Sequence, residues 1–60
     1  MKVDIKETYP GEPKIIEFSL EVESIALAIK ASSKLLRENP LLEMVEIFCL
    51  DPLEHITLTR

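Results

Sequence analysis

The stretch VESIALAIKASSKLLREN, residues Val22–Asn39, is the one segment of this chain long enough to form a substantial helix. At about 100° per residue, its Ile25, Ile29 and Leu36 fall on one stripe together with Ser32. This spacing is typical of an amphipathic helix that packs against a sheet. We therefore predict that this helix covers one face of a small sheet built by the rest of the chain.

The sequence defines the C-terminal end of the predicted helix more sharply than its N-terminal end. Pro40 stops it, because the residue before a proline is pushed out of the helical region. At the other end, Ser19 and Ser24 both suit the N-cap position. The helix could therefore begin anywhere between Leu20 and Ile25.

A second apolar stripe runs along the helix, formed by Leu27, Ala31 and Leu35 on the side away from Ile29. A single helix on a single sheet would leave this stripe in water. Two interpretations stay open. Isolated surface leucines are common, since more than half of a folded protein's surface is apolar; alternatively, the stripe faces a partner.

The segments on either side of the helix alternate between apolar and polar residues with the period of two expected of half-buried strands. The four predicted strands are Lys2–Tyr9, Lys14–Glu21, Leu41–Leu50 and His55–Arg60. Pro10–Pro13 contains the Pro-Gly pair of a type II turn, and Asp51–Glu54 is a second predicted turn. Each side of the helix therefore carries a hairpin.

The third predicted strand is apolar on both faces. Its inward side would consist of Val45, Ile47 and Cys49, and its outward side of Met44, Phe48 and Leu50. A strand of this composition is typically central and covered on both sides. A short helix is the alternative for Leu41–Val45, because Pro40 suits the first helical position.

The order strand, strand, helix, strand, strand predicts the fold class. We expect a single α+β domain with two layers, ββαββ, in which a four-stranded, mainly antiparallel sheet carries one helix on one face. The helix makes the crossover between the two hairpins.

The length of the chain sets a limit on its stability. A domain of 60 residues buries only about 60% of the surface of its unfolded chain, and such domains commonly rely on disulfides, metals or association. Cys49 is the only cysteine and His55 the only histidine, which excludes an internal disulfide and leaves too few ligands for structural zinc. Association is the remaining route.

The charge balance argues against several partners. Eleven acidic and seven basic residues give a net charge of −4, which disfavours binding to nucleic acid or to an anionic membrane. No apolar run approaches the ~20 residues of a membrane span. The N-terminal residues lack the apolar core of a signal peptide. With a single unpaired thiol, these features predict a cytoplasmic protein.

Few residues suggest chemistry. Cys49 and His55 could approach each other across the turn, but a cysteine in so apolar a run is typical of a core position. His55 could also form an orienting pair with Asp51 or Glu54. The acidic residues do not follow a calcium-loop pattern, and there is no glycine-rich phosphate loop. We predict no catalytic residue, no metal and no cofactor.

These observations favour a small non-enzymatic protein that acts by self-association, as a homodimer, or through a protein partner. The predicted interface residues are Leu27, Ala31, Leu35, Met44, Phe48 and Leu50. A second hypothesis is an acidic accessory or inhibitor protein that binds a larger partner, such as a nucleic-acid-binding protein. The third is a small enzyme with a site between subunits. The basic row of Lys30, Lys34 and Arg37 is interpreted as a solvated helix face.

Overall fold

The computed structural model describes residues 1–11 and 14–60 and confirms the predicted order of elements. The described residues form the strands β1 (Lys2–Tyr9), β2 (Lys14–Glu21), β3 (Met44–Leu50) and β4 (Leu53–Thr59), with the helix α1 (Ile25–Glu38) between β2 and β3. The α+β fold class predicted from the sequence is therefore confirmed.

The four strands form one sheet in the order β2-β1-β3-β4, and every neighbouring pair is antiparallel. Because β2 and β3 both run antiparallel to β1, they run parallel to each other on either side of it. The helix α1 therefore makes a crossover that passes over one intervening strand. The hairpin β1–β2 and the hairpin β3–β4 join through the β1–β3 pair at the centre of the sheet.

The register places one continuous apolar row across the face that α1 covers. Ile5 lies opposite Phe18 on one side and opposite Ile47 on the other, and Ile47 in turn lies opposite Ile56. Ile5 and Ile47 are both only 1% exposed. The buried core formed by β1, β3, α1 and the loop after α1 consists of Val3, Ile5, Ala28, Leu36, Leu42, Val45, Ile47 and Cys49.

The helix begins later than the longest prediction allowed. Ser24 is its N-cap, and its Oγ accepts a hydrogen bond from the backbone N–H of Leu27 at 3.3 Å. At the C-terminal end, the Asn39 side chain donates to the carbonyl of Leu35 at 3.1 Å. Of the two predicted caps, Ser24 is therefore confirmed.

The buried stripe of α1 is centred on small residues. Ala28 and Ser32 are fully buried, while Ile25 and Ile29 are only half-buried on the flanks. The predicted stripe therefore faces the sheet, but Ala28 rather than an isoleucine is fully buried there. Small side chains at these positions let the helix axis approach the strands.

The segment after the helix differs from the prediction. Residues 41–43 belong neither to a strand nor to a helix, and β3 begins only at Met44. Leu42 turns inward and is fully buried, while its neighbour Leu41 is 72% exposed. The Leu42 N–H donates to the Asn39 carbonyl, and the Glu43 N–H donates to the Thr8 carbonyl, both at 3.0 Å.

The two hairpin turns differ in how well they match the turns predicted from the sequence. Gly11 has a φ of 96°, as a type II turn requires after Pro10; Glu12 and Pro13 of the same predicted turn lie outside the described residues. The second turn is shorter than predicted, since Leu50 already pairs with Leu53. Pro52 therefore occupies the second central position, after a cis peptide bond.

Leu42 provides a matched test of the core. We expect Leu42→Ala to lower the free energy of unfolding by about 2–5 kcal/mol, because it removes a fully buried side chain and leaves a cavity. The adjacent variant Leu41→Ala should change it by less than about 0.5 kcal/mol. Urea unfolding followed by circular dichroism measures both, and equal losses would contradict the burial of Leu42.

Ser32 is expected to destabilise the natural protein. Its side chain is fully buried, and its hydroxyl has no hydrogen-bond partner among the described residues. Ser32→Ala should therefore raise the free energy of unfolding by about 1 kcal/mol or more. Ser33→Ala is the control, since it gains the same helix propensity at a half-buried position. A gain no larger than that of the control would contradict the cost assigned to the buried hydroxyl.

Candidate interaction surface

The face of the sheet away from α1 is organised around Glu46. Its carboxylate lies 2.8 Å from the His55 Nε2 and 3.9 Å from the Lys6 ammonium. Lys6 is the direct cross-strand partner of Glu46, and His55 reaches it diagonally from β4. The centre of this face therefore carries charged and polar groups that satisfy one another.

Phe48 is covered by its own cross-strand neighbour. The rings of Phe48 and His55 stack with their centroids 4.4 Å apart and their planes 12° from parallel. This contact leaves Phe48 half-buried, although no second layer covers the face within the described part of the chain. The sequence suggested that the outward side of β3 needs external cover, but part of that cover comes from β4.

A shallow depression of about 410 Å³ lies on β1 and β2 beside Phe48. Within it, the Ser19 hydroxyl donates a hydrogen bond to Asp4 at 2.7 Å. His55 lies three strand positions away from Ser19 in the sheet, a distance of about 14 Å. The hydroxyl and the imidazole are therefore too far apart to act as nucleophile and base.

The structure separates Cys49 from His55. Cys49 points toward α1 and is 3% exposed, whereas His55 lies on the opposite face. The orienting pair that the sequence allowed between His55 and Asp51 or Glu54 is not what the structure shows, because the carboxylate at His55 is that of Glu46. Adjacent residues of a strand point to opposite faces, so proximity in sequence across a hairpin did not indicate proximity of side chains.

No metal site is formed by the part of the chain that the structure describes. Nowhere in residues 1–11 and 14–60 do three side chains of His, Cys, Asp or Glu come together in a way that could hold an ion. The same residues contain no helix that is long and apolar enough to cross a membrane.

The predicted helix stripe is only partly exposed. Leu27 is 45% exposed, whereas Ala31 and Leu35 are half-buried and Leu35 packs against the core. The opposite flank of α1, including Lys30 and Arg37, lies toward β4. The stripe therefore lies on the side of α1 that faces β1 and β2, and only its Leu27 end is exposed to solvent.

The outward residues of β3 differ in their surroundings. Met44 and Phe48 are half-buried, but Leu50 is 83% exposed. Directly opposite Leu50, Leu53 is 82% exposed, so the end of the β3–β4 hairpin is apolar. Leu53 was missed as an interface candidate because the sequence placed it in a turn.

The two edges of the sheet differ in charge. The strand β4, with the sequence LEHITLT, carries one acidic residue, Glu54, and contains neither lysine nor proline in its seven residues. The other edge strand, β2, carries Lys14, Glu17 and Glu21. Charged side chains and prolines are the usual protection of an edge against pairing with another chain. The β4 edge is therefore the less protected one.

A basic groove of about 630 Å³ runs between α1 and β4. Its lining residues are Lys30, Ser33, Leu36, Arg37, Leu58, Thr59 and Arg60. The Arg60 guanidinium donates to the carbonyls of Leu36 and Asn39 at the C-terminal end of α1, where the helix dipole favours positive charge. It also donates to the carbonyl of Leu42 in the loop that follows. The sequence alone indicated a basic helix row but not this role of Arg60.

Comparisons with protein-family models, with curated proteins and with solved structures gave no significant match. The function of this chain is therefore inferred from its own residues and surfaces.

The burial of Cys49 predicts that its thiol reacts slowly in the folded protein. A thiol reagent such as DTNB should modify native Cys49 roughly 100-fold or more slowly than an exposed thiol, because the reaction requires local opening. The matched control places a cysteine at the next position, Leu50→Cys in a Cys49→Ala background, where the residue is 83% exposed. The rate at Cys49 should rise with urea. Equal rates for the two thiols without urea would contradict the burial.

Proposed function

We propose that this chain is a small cytoplasmic, non-enzymatic protein that acts by self-association, as a homodimer. The observation that carries the proposal is the β4 edge, a strand of seven residues without lysine or proline. An exposed edge presents unpaired backbone N–H and C=O groups that favour pairing with another strand. The lone, buried Cys49 is compatible with a reducing compartment.

Two symmetric arrangements would bury surface that a single copy leaves open. In the first, the faces away from α1 stack on each other, which would cover Met44, Phe48 and Leu50. In the second, two edge strands pair and make one continuous sheet. The distribution of charge on the open face distinguishes them.

Stacking would bury the charged centre of the open face. Glu17, Lys6 and Glu46 lie side by side there, as consecutive cross-strand partners. Removing these groups from water is costly unless the other copy pairs every one of them. Edge pairing leaves this row in water, and we therefore favour association through β4.

Edge pairing would also cover part of the exposed apolar end of the β3–β4 hairpin. Leu53 lies on β4 itself, next to Leu50, and both side chains are more than four-fifths exposed, at 82% and 83%. A strand added beside β4 would place new side chains next to Leu53. It would bury apolar surface without moving any element of the fold.

The oligomeric state tests this proposal. We expect sedimentation equilibrium between about 1 and 300 µM, a range chosen to bracket the weak affinity of a small interface, to show a reversible monomer–dimer equilibrium. Circular dichroism on the same samples should show that the monomer is folded, because its core lies within one copy. A chain that stays monomeric and folded over the whole range would refute self-association.

A further inference from the structure

We infer that two copies pair through antiparallel β4 strands with the two-fold axis at Ile56, so that Glu54 of each copy lies beside Arg37 of the other. This inference rests on the self-association proposed above and adds the register and the charge pair. Its occupant is a second copy of this chain, and the following features of β4 specify the arrangement.

The first feature is the length of the strand. In a symmetric antiparallel pair, each residue has a fixed partner on either side of the two-fold axis. Ile56 is the middle residue of β4, which runs from Leu53 to Thr59. Centring the axis there pairs all seven residues, and any shift leaves some unpaired. The cross-strand partners are then Leu53 with Thr59, Glu54 with Leu58, His55 with Thr57, and Ile56 with Ile56.

The second feature is the apolar row on the side of α1. In one copy this row ends at Ile56, which is half-buried because it lies at the edge. Pairing at Ile56 joins the row to the identical row of the other copy. Cross-strand pairs of β-branched residues stabilise sheets, and this contact lies at the axis, where both copies contribute equally.

The third feature lies on the open face. Leu50 is opposite Leu53, and Met44 is opposite Thr59 within one copy. Pairing Leu53 with the partner's Thr59 therefore brings Leu50, Leu53, the partner's Thr59 and the partner's Met44 into one row. Two of the residues predicted as interface from the sequence, Met44 and Leu50, then flank the contact on its two sides.

The fourth feature is charge. Glu54 faces the side of α1, because its cross-strand partner is the buried Cys49. In the proposed register it lies opposite the partner's Leu58, which lines the basic groove with Lys30 and Arg37. Among the described residues, the ion pairs include neither Glu54 nor these two basic side chains. The symmetric dimer brings these opposite charges together twice.

Charge reversal tests this register. Glu54→Lys and Arg37→Glu should each weaken dimerisation by at least about tenfold, because each variant places like charges together at both ends of the interface. Glu23→Lys and Lys2→Glu are the controls, since these exposed residues lie outside the β4 edge and change the net charge equally. Sedimentation equilibrium gives the dissociation constants, and thermal melts show that each variant is folded.

Mixing the two interface variants makes the test specific. In a heterodimer of Glu54→Lys with Arg37→Glu, one contact has lysine against glutamate and the other has glutamate against arginine, so both are attractive. We expect native mass spectrometry of the mixture to show mainly the heterodimer. Its dissociation constant should return to within about threefold of that of the natural protein. Exchanging the residues within an exposed ion pair changes the binding free energy little as long as the two charges remain opposite.

The outcomes separate the two proposals. A dimer whose affinity is unchanged by either charge reversal, or a mixture that does not form the heterodimer, would refute pairing at Ile56 while leaving self-association intact. A natural protein that is monomeric throughout would refute both. Concentration-dependent protection of alternate β4 amides in hydrogen exchange would support the β4 interface independently of any substitution.

Discussion

The width of the sheet is the constraint on which the rest of the structure depends. A helix is about 10 Å across, whereas four strands place their outer axes about 14 Å apart. The helix α1 lies over β3 and β4, so the face it covers is well buried at β1 and β3 but less so at β2, where Ile16 is 39% exposed. The small side chains of Ala28 and Ser32 let the helix lie close to the sheet, but they do not increase the width of sheet that the helix covers. Residues 1–11 and 14–60 contain no second helix to complete the layer.

The elements could be predicted from the sequence because each follows a simple period. Alternation located β1 and β2 to the residue, and the helical period with Pro40 located the end of α1. The predictions were wrong where the spacing of apolar residues gives no information about structure. Leu41 and Leu42 look alike in sequence, yet only Leu42 enters the core, because the chain must return from the helix to the sheet there. The strand order also depends on which hairpin strands meet, and local pattern does not encode this.

The surface was harder to predict than the fold, because it is assembled from residues distant in sequence. Glu46 and His55 meet diagonally across the β3–β4 pair, and Arg60 reaches the end of α1 from beyond β4. Exact register is needed for either contact, and it depends on the turn between β3 and β4. The sequence placed this turn one residue too late and the start of β4 two residues too late. The apolar outward side of β3 was identified correctly, but its cover by the stacked His55 ring was not foreseen.

The charges on the two edges of the sheet argue for the proposed closed dimer over an open chain of copies. Pairing β2 of one copy with β4 of the next would be head-to-tail, and it would continue from copy to copy unless the rotation closed a ring. The β2 residues on the side of α1 are Lys14, Ile16, Phe18 and Leu20. Such a pairing would therefore present only a lysine to the basic groove beside β4, which is a like-charge contact. Pairing β4 with itself presents Glu54 to that groove instead. The charge on the α1 side of each edge strand thus opposes the open assembly and supports the symmetric one.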